Sequence, residues 1–274
     1  DLDAGLVPAC VVATFGTTSS TAEDPAGTIA DVVRELAPAC WVHVDAAFQG
    51  SVLLLPEHRR LDGLDRIDSL CFNPHKWLLT NFDCDLFYTA DAASLVGSLS
   101  VTPEYLRNAA SERGAVDFRD WGVPLGRRFR ALKLWLVIRH YGAAGLRAYI
   151  AEHLRWAEEA QGRLFADDRF EQLAERTSVL LCFGLRAGSA DRADALNRRL
   201  IERINASGEI LLTQTTLPVM QRNADGSWRV AGSRFALRLA FGGRRSTRHS
   251  VLHAVDVVRR HATELLAEDG GPPG

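Results

Sequence analysis

Trp41-Val42-His43-Val44-Asp45-Ala46-Ala47, residues 41–47, is a β-rich apolar run that ends on an acid and two small residues. Lys76 stands 31 positions beyond that acid, inside Asn73-Pro74-His75-Lys76-Trp77, directly after a second such run from Ser69 to Phe72. Upstream, Ala9 to Thr14 is a third run, stopped by Gly16-Thr17-Thr18-Ser19-Ser20. Asp24-Pro25 then opens a helix through Ile29, Val32, Val33 and Leu36,. Leu86 to Thr89 reads as a fourth strand. Strands alternating with helices predict an α/β fold, and ligands of such sheets gather beyond the strand ends. Asp45 and Lys76 both stand there.

The rest of the chain reads as a second unit. From Leu95 to Val123, Gly, Pro, Ser and charges mix as in a long functional loop,. A helical stretch follows from about Gly126 to Phe165, interrupted near Gly142 and Gly145. Beyond it come strand-like Val179 to Phe183, a helix from Asp191 to Asn205, strand-like Arg234 to Leu239 and a last helix from Thr247 to Leu266. Ser246 or Thr247 is its expected N-cap,. Two domains are expected, residues 1–132 and residues 133–274, the second a linking helix with a small α+β unit.

Composition narrows the function classes. The 274 residues are 47% hydrophobic and 24% charged, as in globular proteins,. A net charge of −2 offers no electrostatic case for nucleic acid,. No apolar run approaches the ~18 residues of a membrane span. Five scattered cysteines without a CxxC pair read as reduced core thiols of a cytoplasmic protein, not as a disulfide framework or a metal site,. There is neither a GxSxG nor a P-loop. The chain starts at Asp1 without a methionine and reads as the continuation of something longer.

An acid and a lysine on apolar segments are each costly to desolvate and call for a reason. Taken alone, Lys76 reads as a snorkelling strand-end lysine, and a helix cap is the competing reading of Asp45. Together they match pyridoxal phosphate chemistry, in which a lysine holds the cofactor covalently and a carboxylate keeps its pyridine nitrogen protonated. Arg119, Arg127, Arg128, Arg130 and Arg238 are weaker candidates for a carboxylate or phosphate, and Arg127-Arg128-Phe129-Arg130 reads first as a structural ion-pair cluster,. His249 and His253, four apart, read as a solvated helix face because no acid or cysteine follows at metal-ligand spacing,.

GTTSS, HVDAAFQG, FNPHKWLLTNFDC, PEYLRN, DFRDWGVPLGRRFRALKLW and FALRLAF resemble, over nearly the whole chain, the group II pyridoxal-phosphate-dependent amino acid decarboxylases. The likeness is greatest to the aromatic-L-amino-acid and tyrosine decarboxylase branch, rather than to the glutamate or sulfinate branches. It implies a fold type I, aspartate aminotransferase-like enzyme: a homodimeric carboxy-lyase with pyridoxal 5'-phosphate covalent at Lys76. Asp45 would pair with the pyridine nitrogen, Ala47 would pack under the ring and Thr18 would contact the cofactor. Asn73 and His75 would hold the phosphate. Tyr105, on a loop closing over the partner subunit's site, would protonate the substrate carbon after carbon dioxide leaves. Val179 stands where relatives carry a smaller residue that tunes the aromatic pocket. The family's amino-terminal half is absent from this sequence. An aromatic aldehyde synthase, expected to carry Phe at position 105, and a non-catalytic truncated fragment are the alternatives.

Overall fold

The computed structural model describes residues 2–59, 61–100 and 116–270. Its first sheet has four strands, β1 (Cys10–Thr14), β2 (Trp41–Asp45), β3 (Ser69–Phe72) and β4 (Leu86–Thr89), in that spatial order. The first three run parallel and β4 returns antiparallel. Period-2 burial explains β2: Val42 and Val44 are completely buried, whereas Trp41, His43 and Asp45 are half-buried. Helix α1 (Ala26–Leu36) lays Ala26, Ala30 and Val33 on Ala13, Val42 and Val44 to form one core. Burying each valine contributes roughly 1.5–3 kcal/mol. Arg34 fastens the end of α1, reaching Asp68 at 2.7 Å and the Cys40 carbonyl at 2.9 Å.

Short helices α2 (Pro74–Trp77) and α3 (Ala92–Leu99) follow β3 and β4. The long helix α4 (Arg130–Phe165) breaks at Gly142, where φ 66° and ψ 168° leave the helical region. That places the interruption expected from sequence at the first of the two glycines. The second sheet is antiparallel, with β5 (Phe170–Gln172), β6 (Leu180–Leu185), β7 (Thr213–Arg222) and β8 (Trp228–Ala240) in the order β5-β6-β8-β7. Every residue of β6 is buried, in keeping with a central strand. Helix α5 (Ala190–Ser207) carries Asn197 into the core, where its Oδ1 accepts from the Leu185 amide at 2.8 Å. Helix α6 (Arg248–Glu268) starts on the expected Thr247, which forms a capping box with Ser250,.

The largest core joins the two sheets. Val52, Leu55, Trp77 and Leu78 from the first unit pack with Leu146, Ile150, Leu154, Val179 and Phe241 from the second. The segment carrying Lys76 is therefore seated on α4 and the second sheet as well as on its own. Four cysteines are buried or half-buried, but Cys10 is exposed at the start of β1, so the reading of all five as core thiols fails there.

Candidate active site

Thr14, Asp45 and Cys71 stand in register across β1, β2 and β3, so the three parallel strands end at one level. Asp45 Oδ1 accepts from the Ala47 amide at 2.9 Å, and the Cys71 thiol points to it at 3.9 Å. Among the described residues no hydrogen bond reaches Asp45 Oδ2. The Ala47 carbonyl accepts from the Asn73 amide at 2.9 Å, tying the loop after β2 to the turn that bears the lysine.

That turn is α2. Asn73 precedes it in an extended conformation and Pro74 takes the first helical position,. The Lys76 amide donates to the Asn73 carbonyl at 2.9 Å. His75 Nδ1 lies 3.0 Å from the Cys84 amide and 2.7 Å from its carbonyl, which leaves Nε2 as the nitrogen for a ligand. Pro74 and Trp77 are buried, but Lys76 is exposed. This corrects the expectation of a buried lysine. Successive residues of a helical turn point about 100° apart, so anchoring through Trp77 turns Lys76 outward. It lines a cleft of about 210 Å³ together with Thr17, Thr18, Phe48, Val179 and Phe241.

The cleft thus unites Lys76 with Thr18, while Asp45, Ala47, Asn73 and His75 occupy the adjoining strand ends and do not line it. Electrostatics ties the two groups together. Burial pushes the Cys71 thiol up to about 11; the Asp45 and Asp85 carboxylates add to the rise, and Lys76 opposes it. Asp85 went unnoticed in the sequence because it follows Asp83 and Cys84 in an otherwise ordinary strand entry. A second overlooked signal is scarcity: the chain holds two lysines, Lys76 and Lys133. Tyr105 lies outside the described residues.

Arg238 also lines the cleft. Its Nε donates to the Ser19 carbonyl at 2.9 Å, Nη2 to the Thr18 carbonyl at 2.6 Å and Nη1 to Thr213 Oγ1 at 3.0 Å. It clamps the Thr18 loop instead of standing open to a carboxylate. Thr177 Oγ1, 3.0 Å from Thr21 Oγ1, and the Cys182 thiol, 3.5 Å from the Ser19 carbonyl, hold the same loop. Gly16 enters it with φ 94°, and a Cβ there would fall 2.5 Å from Gln49 Cβ, so only glycine fits,. Of the other arginines, Arg130 pairs with Asp83 at 2.8 Å, as a structural role requires. His249 and His253 are exposed with stacked rings. Among the described residues no three metal-ligating side chains converge, and no helix is long and apolar enough to cross a membrane.

Residues 1–186 match the family described as the pyridoxal-dependent decarboxylase conserved domain. The chain belongs to this family. It is 43% identical over 274 residues to tryptophan decarboxylase 1 of Oryza sativa, covering 97% of this chain and 50% of that protein. The crystal structure of Oryza sativa TDC with PLP and tryptamine superposes with a TM-score of 0.87 at 43% identity, over 96% of this chain and 52% of that one. The 4-hydroxyphenylacetaldehyde synthase of Rhodiola rosea gives 0.81 at 35% identity, over 96% and 51%. The fold is that of these pyridoxal-dependent decarboxylases, and the chain spans about half the length of the curated relatives it matches.

Proposed function

We propose that this chain supplies the lysine-bearing part of a pyridoxal-phosphate-dependent decarboxylase that converts an aromatic L-amino acid to its amine and carbon dioxide. The observation that carries this reading is the exposed Lys76 amine in a cleft shared with Thr18, beside an Asp45 carboxylate with one oxygen held and the other unengaged. That donor set fits the cofactor. Lys76 would hold it covalently, Asp45 Oδ2 would take its ring nitrogen, and His75 Nε2 with Asn73 would meet its phosphate. Ala47 would pack under the ring and Thr18 would border it.

When bound, the cofactor supplies a cationic conjugated ring that accepts the electron pair left as carbon dioxide departs. The protein's work is orientation and proton control. Asp45 keeps a proton on the ring nitrogen. Tyr105 would deliver a proton to the substrate's Cα, and the Lys76 amine would take back the cofactor as the amine product leaves. Phe48, Val179 and Phe241 give the cleft an apolar wall suited to an aromatic side chain. A homodimer accords with the apolar surface exposed at Phe129, Trp135 and Leu136,. Free cysteines accord with the reducing cytoplasm,.

Borohydride fixation of pyridoxal phosphate followed by peptide mapping tests the reading, with Lys133 as internal control. Stoichiometric label on Lys76, followed by amine and carbon dioxide from aromatic amino acids, is expected. Label divided evenly between the two lysines defeats it and leaves a non-catalytic fragment. The likeness to an aldehyde synthase favours one second reading, aldehyde with peroxide as products. Tyr105 points to amine instead, and Tyr105→Phe is expected to divert product to aldehyde. Undiminished amine from that variant would show that Tyr105 is not the proton donor.

A further inference from the structure

We propose that His153, in α4, is a positioning residue that sets the place of Lys76 by holding the Trp77 indole. A single helical turn such as α2 does not sustain itself, because nucleation costs more than one turn of hydrogen bonds returns. Its placement must come from tertiary anchors, and the rings on either side of Lys76 provide two. His75 is fixed to the Cys84 backbone. Trp77, 1% exposed, donates its indole N–H to His153 Nδ1 at 3.0 Å.

The surroundings make that second anchor a closed cage. Phe48 stacks on Trp77 with centroids 5.2 Å apart and planes 10° from parallel. Gly242 borders the indole edge, where a Cβ would come within 3.2 Å of Trp77 Cδ1 and Nε1. Tyr149 lies against the His153 ring at 4.2 Å, and its hydroxyl donates to the Gly242 carbonyl at 2.9 Å. Helix α4 and the loop after β8 therefore grip the indole together.

His153 is itself 1% exposed, and burial pushes it down to about 4. It is neutral near pH 7, with the proton on Nε2 and Nδ1 free to accept. No other acceptor for the indole N–H occurs among the described residues. Removing His153 Nδ1 would leave a buried donor unsatisfied at the residue next to Lys76.

The consequence for the cofactor rests on the proposed role of Lys76, but the positioning itself does not, and the test separates them. Hydrogen exchange of residues 73–80 is measured without cofactor for wild type, His153→Leu, His153→Asn and Trp77→Phe. Asn places an acceptor oxygen where Nδ1 stood; Trp77→Phe keeps a ring on Phe48 but removes the donor together with part of the buried indole's volume. At least tenfold faster exchange is expected in His153→Leu and Trp77→Phe, confined to that segment, with His153→Asn near wild type. Unchanged exchange at 73–80 in Trp77→Phe, or a uniform rise across α5 and α6 in His153→Leu without rescue by Asn, would overturn the proposal. If His153→Leu does not fold, Trp77→Phe read against His153→Asn decides. Capture of pyridoxal phosphate at Lys76 relative to Lys133 is read in the same proteins. Its absence in wild type would defeat the functional reading while the exchange data still decide the positioning.

Discussion

At the scale of single residues, the site divides its labour between groups whose chemistry is fixed by type and groups fixed by contact. Asp45 is of the first kind. With Oδ1 committed to the Ala47 amide, Oδ2 is the oxygen that can hold a ring proton. Asp45→Asn keeps the shape and the amide contact but loses the charge. Amine formation should fall by roughly 100-fold or more, the scale seen when one preorganised electrostatic partner is removed. Label at Lys76 should persist; a variant within a few-fold of wild type would exclude the pairing. Val179 is of the second kind, completely buried at the cleft wall. Val179→Gly should enlarge the cleft and raise the kcat/KM ratio for tryptophan over tyrosine by about tenfold, since single methyl differences in such pockets discriminate on that scale. The same change should lower stability by about 2 kcal/mol. A ratio that does not move would take Val179 out of the substrate pocket.

At the scale of elements, the second sheet reaches back to the loop after β1 through Arg238, whose guanidinium binds two carbonyls and one hydroxyl. Arg238→Lys cannot span three acceptors with one ammonium, so it should behave like Arg238→Gln. Both should weaken cofactor binding by about tenfold and speed hydrogen exchange in residues 16–21. If Arg238 instead receives the substrate carboxylate, KM will rise with cofactor affinity unchanged. This clamp joins positions 220 residues apart and the Trp77–His153 contact joins positions 76 apart, both beyond the reach of any local pattern. What the sequence did disclose were β1 to β4, β6, α1, α4, α5 and α6, whose apolar pattern is strong. Strand β7 escaped because Thr213–Arg222 is mostly exposed and contains Pro218, so nothing alternates. Only the buried end of β8 was legible, since residues 228–233 are exposed and carry no apolar pattern. Lys76 and Asp45 were legible because their residue types are rare on apolar strand ends; Lys76's exposure was not, because it depends on which side of the turn is anchored.

At the scale of the whole molecule, two buried groups set how the fold answers acid. Burial holds His153 at about 4, below the ordinary 6.5. Between those values the unfolded chain binds the proton more readily than the folded one, so acidification favours unfolding. The contribution of His153 is complete above about 6.5 and is lost as pH falls towards 4, at up to about 1.4 kcal/mol per pH unit. His43, also lowered by burial against the opposing pull of Asp45, adds in the same direction. Asp167 follows in a second window. Arg169 foremost, and Arg259 with it, draws its carboxyl down to about 2 from 3.8. Its contribution is present above 3.8 and is lost as pH falls through 2. Urea unfolding from pH 8 to pH 3 should therefore show a midpoint that is flat above pH 7, declines from about 6.5 and declines further below 4. His153→Asn keeps an acceptor for the indole but cannot titrate, so the upper decline should shrink to the share left by His43 while the lower one stays. Asp167→Asn should do the reverse. A wild-type midpoint that is level from pH 6.5 to 4.5 would mean that His153 does not titrate well below the ordinary value in the folded core.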